Sequence, residues 1–209
     1  MIKCNVTVCG TITRSAQMRT NKDGKAFLAF GVSVVIPAKS GINKTFEISV
    51  AKDGGSQEDC GTYIAGNRVE IVGTLLFHKK GDALYLNMSA TGINAFNAPN
   101  EDCIKGNMEF RGTVGRNIET KNDKKGNPYC VFSAFSSEKN GVNEDGSAIY
   151  DFTWVRFLHF GESQKEWMQP KCGIDVKGEL QMTVYNDRLD IGCRVSELSQ
   201  WQKTQTNAQ

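Results

Sequence analysis

The sequence lacks a long apolar run. Its longest near-apolar stretch, residues 26–38, is too short to cross a bilayer as a helix and is interrupted by Gly31, Ser33 and Pro37. The opening MIKCNVTVCG has neither the apolar segment nor the cleavage site of a secretory leader. We therefore expect no signal peptide, no membrane partner and a cytoplasmic location. Histidine is scarce, with only His78 and His159, far apart in the chain. The seven cysteines (4, 9, 60, 103, 130, 172 and 193) form no CxxC pair and no Cys/His cluster. An odd, scattered set argues for reduced thiols over a disulfide frame or a zinc site, and Cys193 reads as a small core residue. No P-loop, GxSxG or HExxH is present. Asp187 and Asp190 lie at a turn and a strand start, where a solvated face explains them. No enzymatic activity, catalytic residue, metal or cofactor is expected. Charge of one sign is lacking too: a net charge of +2 excludes a polycationic coat for duplex DNA. Proline is sparse, at 4, against 21 glycines, which suits the many turns of an all-β chain. With 209 residues, the chain can hold one large domain or two of about 100.

What is present is a repeat. VTVCGTITR from Val6 matches MEFRGTVGR from Met108 at a shift of 102, which also pairs Gly24 with Gly126, Phe27 with Tyr129 and Phe30 with Phe132. Further on the shift is 105, pairing Gly73 with Gly178, Leu84 with Leu189, Met88 with Cys193 and Phe96 with Trp201. Matches over two long ungapped blocks indicate two copies of one domain. We place them at 1–97 and 104–202, followed by a short polar tail at 203–209.

Each copy has the same order of elements. Alternating apolar residues give strands at 3–13 and 107–116. Charged turns follow, NKDGK and NDKKGNP, with Gly supplying positive φ. Strands at 26–35 and 129–135 then lead through long polar loops to strands at 45–51 and 150–160. A short helix comes next, marked in the second copy by Ser163 and Glu166 at capping-box spacing and by Pro170 as a stop. Strands at 69–77, 83–90, 174–184 and 188–195 complete the pattern. Five strands with a helix between the third and fourth is the order of an OB-fold, so the expected architecture is all-β, two tandem five-stranded OB barrels.

The stretch YDFTWVRFLHFG, residues 150–161, carries the chemistry. Successive strand side chains face opposite ways, so Val155 and Phe157 share one face while Tyr150, Phe152, Trp154, Arg156 and Phe160 share the other. One apolar face suffices for packing. An additional aromatic row containing an arginine is what stacks nucleobases and neutralises phosphate. The competing reading is a strand buried on both sides. His159 fits either the core or the ligand edge. Trp167 reads as an anchor for the helix, and Trp201 with Phe96 as residues that close each domain.

The second copy resembles bacterial single-stranded DNA-binding proteins. The resemblance rests on Gly112 at the end of the first strand, on Trp154, Arg156 and the Phe160-Gly161 pair in the third, and on Tyr185 seven residues beyond Gly178. It implies that Trp154, Phe160 and Tyr185 stack bases while Arg156 meets phosphate. Phe152, Tyr129, Arg116, Lys121, Lys124 and Lys125 join this candidate set from the strand face and hairpin rim. Tandem copies combined with the resemblance imply a homo-oligomer, with a dimer favoured.

The first copy departs from the pattern. Glu47, Ser49 and Asp53 stand where the second copy has Trp154, Arg156 and Phe160, and Lys80 replaces Tyr185. Its remaining candidates are Arg14, Arg19, Lys22, Lys25 and Phe27. Residues 1–100 carry 11 basic against 7 acidic side chains, and residues 101–209 carry 14 against 16. We place the acidic excess in the loop 138–151 and near the C-terminus, away from the strand face. The family's acidic, partner-recruiting tail has no counterpart in QWQKTQTNAQ, so no recruitment of repair proteins is expected.

The expected function is sequence-tolerant single-stranded DNA binding in replication, recombination or repair. Two other readings fit the same residues: an RNA-binding or replication-restart OB protein, and an OB-fold scaffold that binds protein.

Overall fold

The structure, a computed structural model, describes residues 1–202; the tail expected at 203–209 lies outside them. Five strands come from the first repeat: β1 (Ile2–Thr20), β2 (Ala26–Ile36), β3 (Lys44–Asp53), β4 (Arg68–Lys80) and β5 (Ala83–Asn94), with helix α1 (Gln57–Thr62) between β3 and β4. Five come from the second: β6 (Cys103–Asn122), β7 (Pro128–Val142), β8 (Ala148–Phe160), β9 (Gly173–Tyr185) and β10 (Arg188–Gln200). Period-two burial accounts for them. In β4, for example, Val69, Ile71, Leu75 and Phe77 are buried while Val72 and Leu76 are exposed.

Residues Lys3–Gly106 and Met182–Asp190 form one compact unit, and residues 1–2, 107–181 and 191–202 form another. In the amino-terminal unit, β1 pairs with β4 from Cys4 to Thr11 and with β2 from Thr11 to Thr20. β2 pairs with β3, β3 runs parallel to β5, and β5 pairs with β4, so the five strands close on themselves. Bulges in β1 around Arg14 let one strand serve two neighbours, because extra residues bend and twist it. The second repeat closes in the same order, through β6–β9, β6–β7, β7–β8, the parallel pair β8–β10 and β10–β9.

Two repeated glycines gain a physical reason. A Cβ on Gly10 would sit 2.3 Å from the Ser33 carbonyl oxygen, and one on Gly112 would sit 2.2 Å from that of Phe135. At the place where the first strand of each repeat switches partner, only glycine lets the backbones approach. Ile12, Leu28, Ile48 and Leu75 fill one core; Met108, Phe110, Phe132 and Phe157 fill the other.

Four expectations are corrected. Residues 161–172 form turns and not the helix anticipated in the second repeat. Between a cap at Ser163 and Pro170, which cannot donate to a helical carbonyl, at most about one and a half turns fit, too few to be stable alone. Instead the Gln164 side chain donates to the Met168 carbonyl at 2.7 Å, and Lys171 turns at φ 71°. Fully buried Met168 anchors the segment, where Trp167 was expected to; Trp167 is only half-buried.

The polar loop expected at 138–151 is a two-stranded ribbon that continues the β7–β8 ladder to Val142 opposite Ala148. Its turn repeats the chemistry of the other charged turns. The first residue's N–H donates to the fifth residue's carbonyl in Asn21–Lys25 (2.9 Å), Asp123–Asn127 (2.9 Å) and Asn143–Ser147 (2.8 Å). Gly24, Gly126 and Gly146 supply the positive φ in each. The closing role assigned to Phe96 is also corrected. Phe96 is 86 % exposed, whereas Trp201 packs on Gly173 and lies under the Arg111 guanidinium at 5.2 Å.

Candidate nucleic-acid interface

Strand β8 is not buried on both faces. Val155 and Phe157 are buried; Phe152, Trp154 (51 %) and Phe160 are exposed, and Arg156 is half-buried beside them. The ladder with β7 places a partner beside each ring: Phe135 opposite Trp154, Ser133 opposite Arg156 and Tyr129 opposite Phe160. Tyr129 and Phe160 stack with centroids 5.2 Å apart at 24°. Phe135 lies 5.0 Å from Trp154 and 5.3 Å from Phe152, edge-on to the latter. The outcome is two aromatic groups on one sheet face, Phe135 with Phe152 and Trp154, and Tyr129 with Phe160, with Arg156 and Leu158 between them.

Three contributors escaped the sequence reading. Phe135 lies on the same parity as Tyr129 and could have been found by alternation. Gly115 could not: a Cβ there would meet the Trp154 ring at 3.0 Å, so its bare backbone is the floor under the indole. Arg194 reaches the site because β10 runs parallel to β8, and its guanidinium lies 5.2 Å over the Phe160 ring. His159 points to the core; burial lowers its pKa below the ordinary 6.5, and its Nδ1 has no hydrogen-bond partner.

The cations surround these rings unequally. Arg116 is exposed in the bulge between Val114 and Ile118. Lys121 is held by Glu119 at 2.7 Å, and that hydrogen bond raises the ammonium pKa while partly neutralising the charge. Lys124 and Lys125 are exposed in a turn fixed by Asp123, which accepts from Asn127 and from the Lys125 N–H. Glu138 and Asp151, opposite each other in the ladder, lie on the face away from Phe152 and Trp154.

The amino-terminal unit presents different chemistry. Ile48 and Val50 are buried as Val155 and Phe157 are, which places Glu47 on the outer face, at the position of Trp154. Glu47 binds Arg14 at 2.8 Å, and Gly31 leaves room for the pair. Arg14, Ser15, Gln17, Arg19, Ala29 and Ser49 line an open cleft of about 450 Å³. Arg19 faces half-buried Phe27 across the β1–β2 ladder, and Lys22 and Lys25 are exposed in the turn. The structure therefore brings Arg14, Arg19 and Phe27 to one strand pair while Glu47 occupies Arg14.

Tyr185 is 56 % exposed at the tip of the β9–β10 hairpin, in the segment Met182–Asp190 that belongs to the amino-terminal unit. Among the described residues no three His, Cys, Asp or Glu side chains are grouped to hold a metal, and no helix is long and apolar enough to cross a membrane.

No protein-family model matches the chain, and no curated protein matches it significantly. Among solved structures, the chain is similar to the wild-type single-stranded DNA binding protein from Thermus aquaticus, at 16 % identity and TM-score 0.48, over 100 % of this chain and 97 % of that one. The Plasmodium falciparum SSB in complex with ssDNA matches at 15 % identity and TM-score 0.37, over 50 % of this chain and 100 % of that one. PriB from Ralstonia solanacearum matches at 15 % identity and TM-score 0.33, over 45 % of this chain and 95 % of that one.

Proposed function

We propose that this chain is a cytoplasmic tandem OB-fold protein, with domains at 1–97 and 104–202, that binds single-stranded DNA without sequence preference in replication, recombination or repair. The observation that carries this reading is the exposed row of Phe152, Trp154 and Phe160, backed by Phe135 and Tyr129 and interrupted by Arg156 and Leu158. A soluble sheet gains nothing from presenting large rings to water, and contiguous exposed apolar patches mark contact surfaces. Flat rings at sheet spacing accept the faces of unpaired bases, each stack contributing about 1–3 kcal/mol by truncation. Arg156, Arg116, Lys124 and Lys125 neutralise phosphates along the row, which makes affinity fall as salt rises. Duplex is a poor ligand because pairing and stacking hide the base faces. The protein acts by holding the strand unpaired, and it works as a homodimer that brings four barrels to one strand.

The test is a tryptophan-fluorescence titration with oligo(dT) at low and high salt, on the natural chain and on Trp154→Ala, with oligo(U) and a duplex as competitors. Salt-sensitive quenching that falls about tenfold or more in apparent affinity with Trp154→Ala is expected. Unchanged fluorescence with no measurable affinity rejects the reading. Preference for oligo(U) reassigns the ligand to RNA.

A further inference from the structure

Cys9 is buried on the side of its strand that should face water. Val6 and Val8 point into the core of the amino-terminal unit, so Cys9 points outward. Its partner across the ladder is Glu70, which lies between the core residues Val69 and Ile71 and therefore shares that outer face. The Cys9 thiol donates to the Glu70 carboxylate at 3.9 Å. An outward side chain is ordinarily wetted, yet Cys9 is 1 % exposed. The segment that follows β5 is what covers it.

Arg68, opposite Thr11 in the ladder, holds that segment down. It donates to the Pro99 carbonyl from Nε at 3.2 Å and from Nη2 at 2.8 Å, and it pairs with the Asp102 carboxylate. Asp102 also accepts from the Val35 N–H at 2.7 Å. Further on, Gly106 lies so close to β1 that a Cβ there would stand 2.1 Å from the Asn5 carbonyl oxygen. The chain is thus pinned at Asp102, beside Arg68 and Thr11, and at Gly106, beside Asn5. Cys103 falls between the two pins, against Cys9, and the two thiols are hydrogen-bonded. Burial first, and this bond second, push the Cys9 thiol up to about 12, so it stays protonated at neutral pH. Cys103 is only half-buried, so a reagent from solvent meets it first.

We propose that Cys9 and Cys103 form a reversible redox-modification site, a dithiol that a hydroperoxide converts into a disulfide fastening the start of β6 to β1. Hydrogen peroxide takes two electrons from the Cys103 sulfur, giving a sulfenic acid and one water. The Cys9 sulfur then forms the S–S bond, and its proton leaves with the sulfenic hydroxyl as a second water. A dithiol reductant reverses the step by thiol–disulfide exchange and is itself oxidised. Both cysteines lie within the amino-terminal unit, and the assignment does not depend on the single-strand reading.

The test treats the reduced full chain with hydrogen peroxide, alkylates the remaining thiols and maps the digest by mass spectrometry. Two of the seven thiols are expected to disappear together into one peptide pair that joins Cys9 to Cys103, and dithiothreitol is expected to return both. Cys103→Ser, a change at a half-buried position, is expected to keep the fold and to form no disulfide. Cys9→Ser removes the resolving thiol, so dimedone is expected to capture a sulfenic acid at Cys103 about fivefold or more above the natural chain. Should Cys9→Ser fail to fold, as circular dichroism would show, the natural chain and Cys103→Ser decide the matter between them. A natural chain that carries Cys103 on to sulfinic acid with no Cys9–Cys103 peptide overturns the proposal. So does a digest in which Cys103 joins other cysteines as often as it joins Cys9, or equal dimedone capture in the natural chain and folded Cys9→Ser.

Discussion

At the scale of single residues, Glu47 and Trp154 show how one position in a repeat can take opposite chemistry. Trp154 rests on the bare backbone of Gly115, whereas Glu47 holds Arg14 beside Gly31. Both use a glycine to bring a large group onto the sheet. His159 shows the reverse economy, a polar side chain turned into the core with its Nδ1 unpartnered. Burial disfavours its charged form and lowers its pKa, with Glu162 opposing and Lys165 reinforcing the shift. The unfolded chain therefore binds the proton more readily. Stability contributed by neutral His159 is complete above the unfolded value of 6.5 and declines as pH falls below it, toward the lowered folded value. Thermal unfolding between pH 7 and 5 is expected to show this loss, and His159→Phe to remove most of it. An unchanged pH profile in that variant would refute the assignment. Parity in 150–160 marked Trp154, Phe160 and Arg156, because alternation is local. Gly115 and Arg194 were not legible, since each depends on which strand lies alongside.

At the scale of elements, the charged turns were readable where their position was anticipated and missed where it was not. NEDGS carries the same cues as NKDGK, an Asn at its start and a Gly in fourth place, yet the surrounding polar residues suggested a loop. Ladder bonds and not side-chain burial sustain that ribbon, so apolar patterning could not reveal it. The helix expected near Ser163 failed for the complementary reason: a capping pattern states a preference that a short segment ending in proline cannot realise. Residues 139–150 of the ribbon contribute no buried side chain, which gives an expectation for its removal. Replacing residues 139–150 with an Asn-Gly turn should shift the unfolding temperature by only a few degrees, as exposed changes usually do. It should weaken oligo(dT) binding less than Trp154→Ala does. Loss of folded protein, seen by calorimetry, would show that the ribbon is structural.

At the scale of the whole molecule, the repeat announced two similar sets of five strands, and the order of strand pairing matches in both. The division of the chain into compact bodies was not legible, because sequence similarity follows the chain while packing does not. Met182–Asp190 lies with the first repeat's strands and residues 1–2 with the second's. A chain ending at residue 106 lacks the Lys39–Asp190 and Lys44–Asp187 pairs and the two backbone bonds to Val184. It is expected to unfold at a lower temperature than the same strands do in the full chain. Equal unfolding temperatures by calorimetry would mean that the clamp adds nothing.

The borrowed hairpin also sets an order of events during synthesis. The first repeat leaves the ribosome early, yet its loop between β2 and β3 acquires Asp187 and Asp190 only after residues 107–181 have been made. Until then Lys39 and Lys44 are uncommitted cations on a nascent chain, and the first-made unit completes its ion pairs only when this later segment arrives.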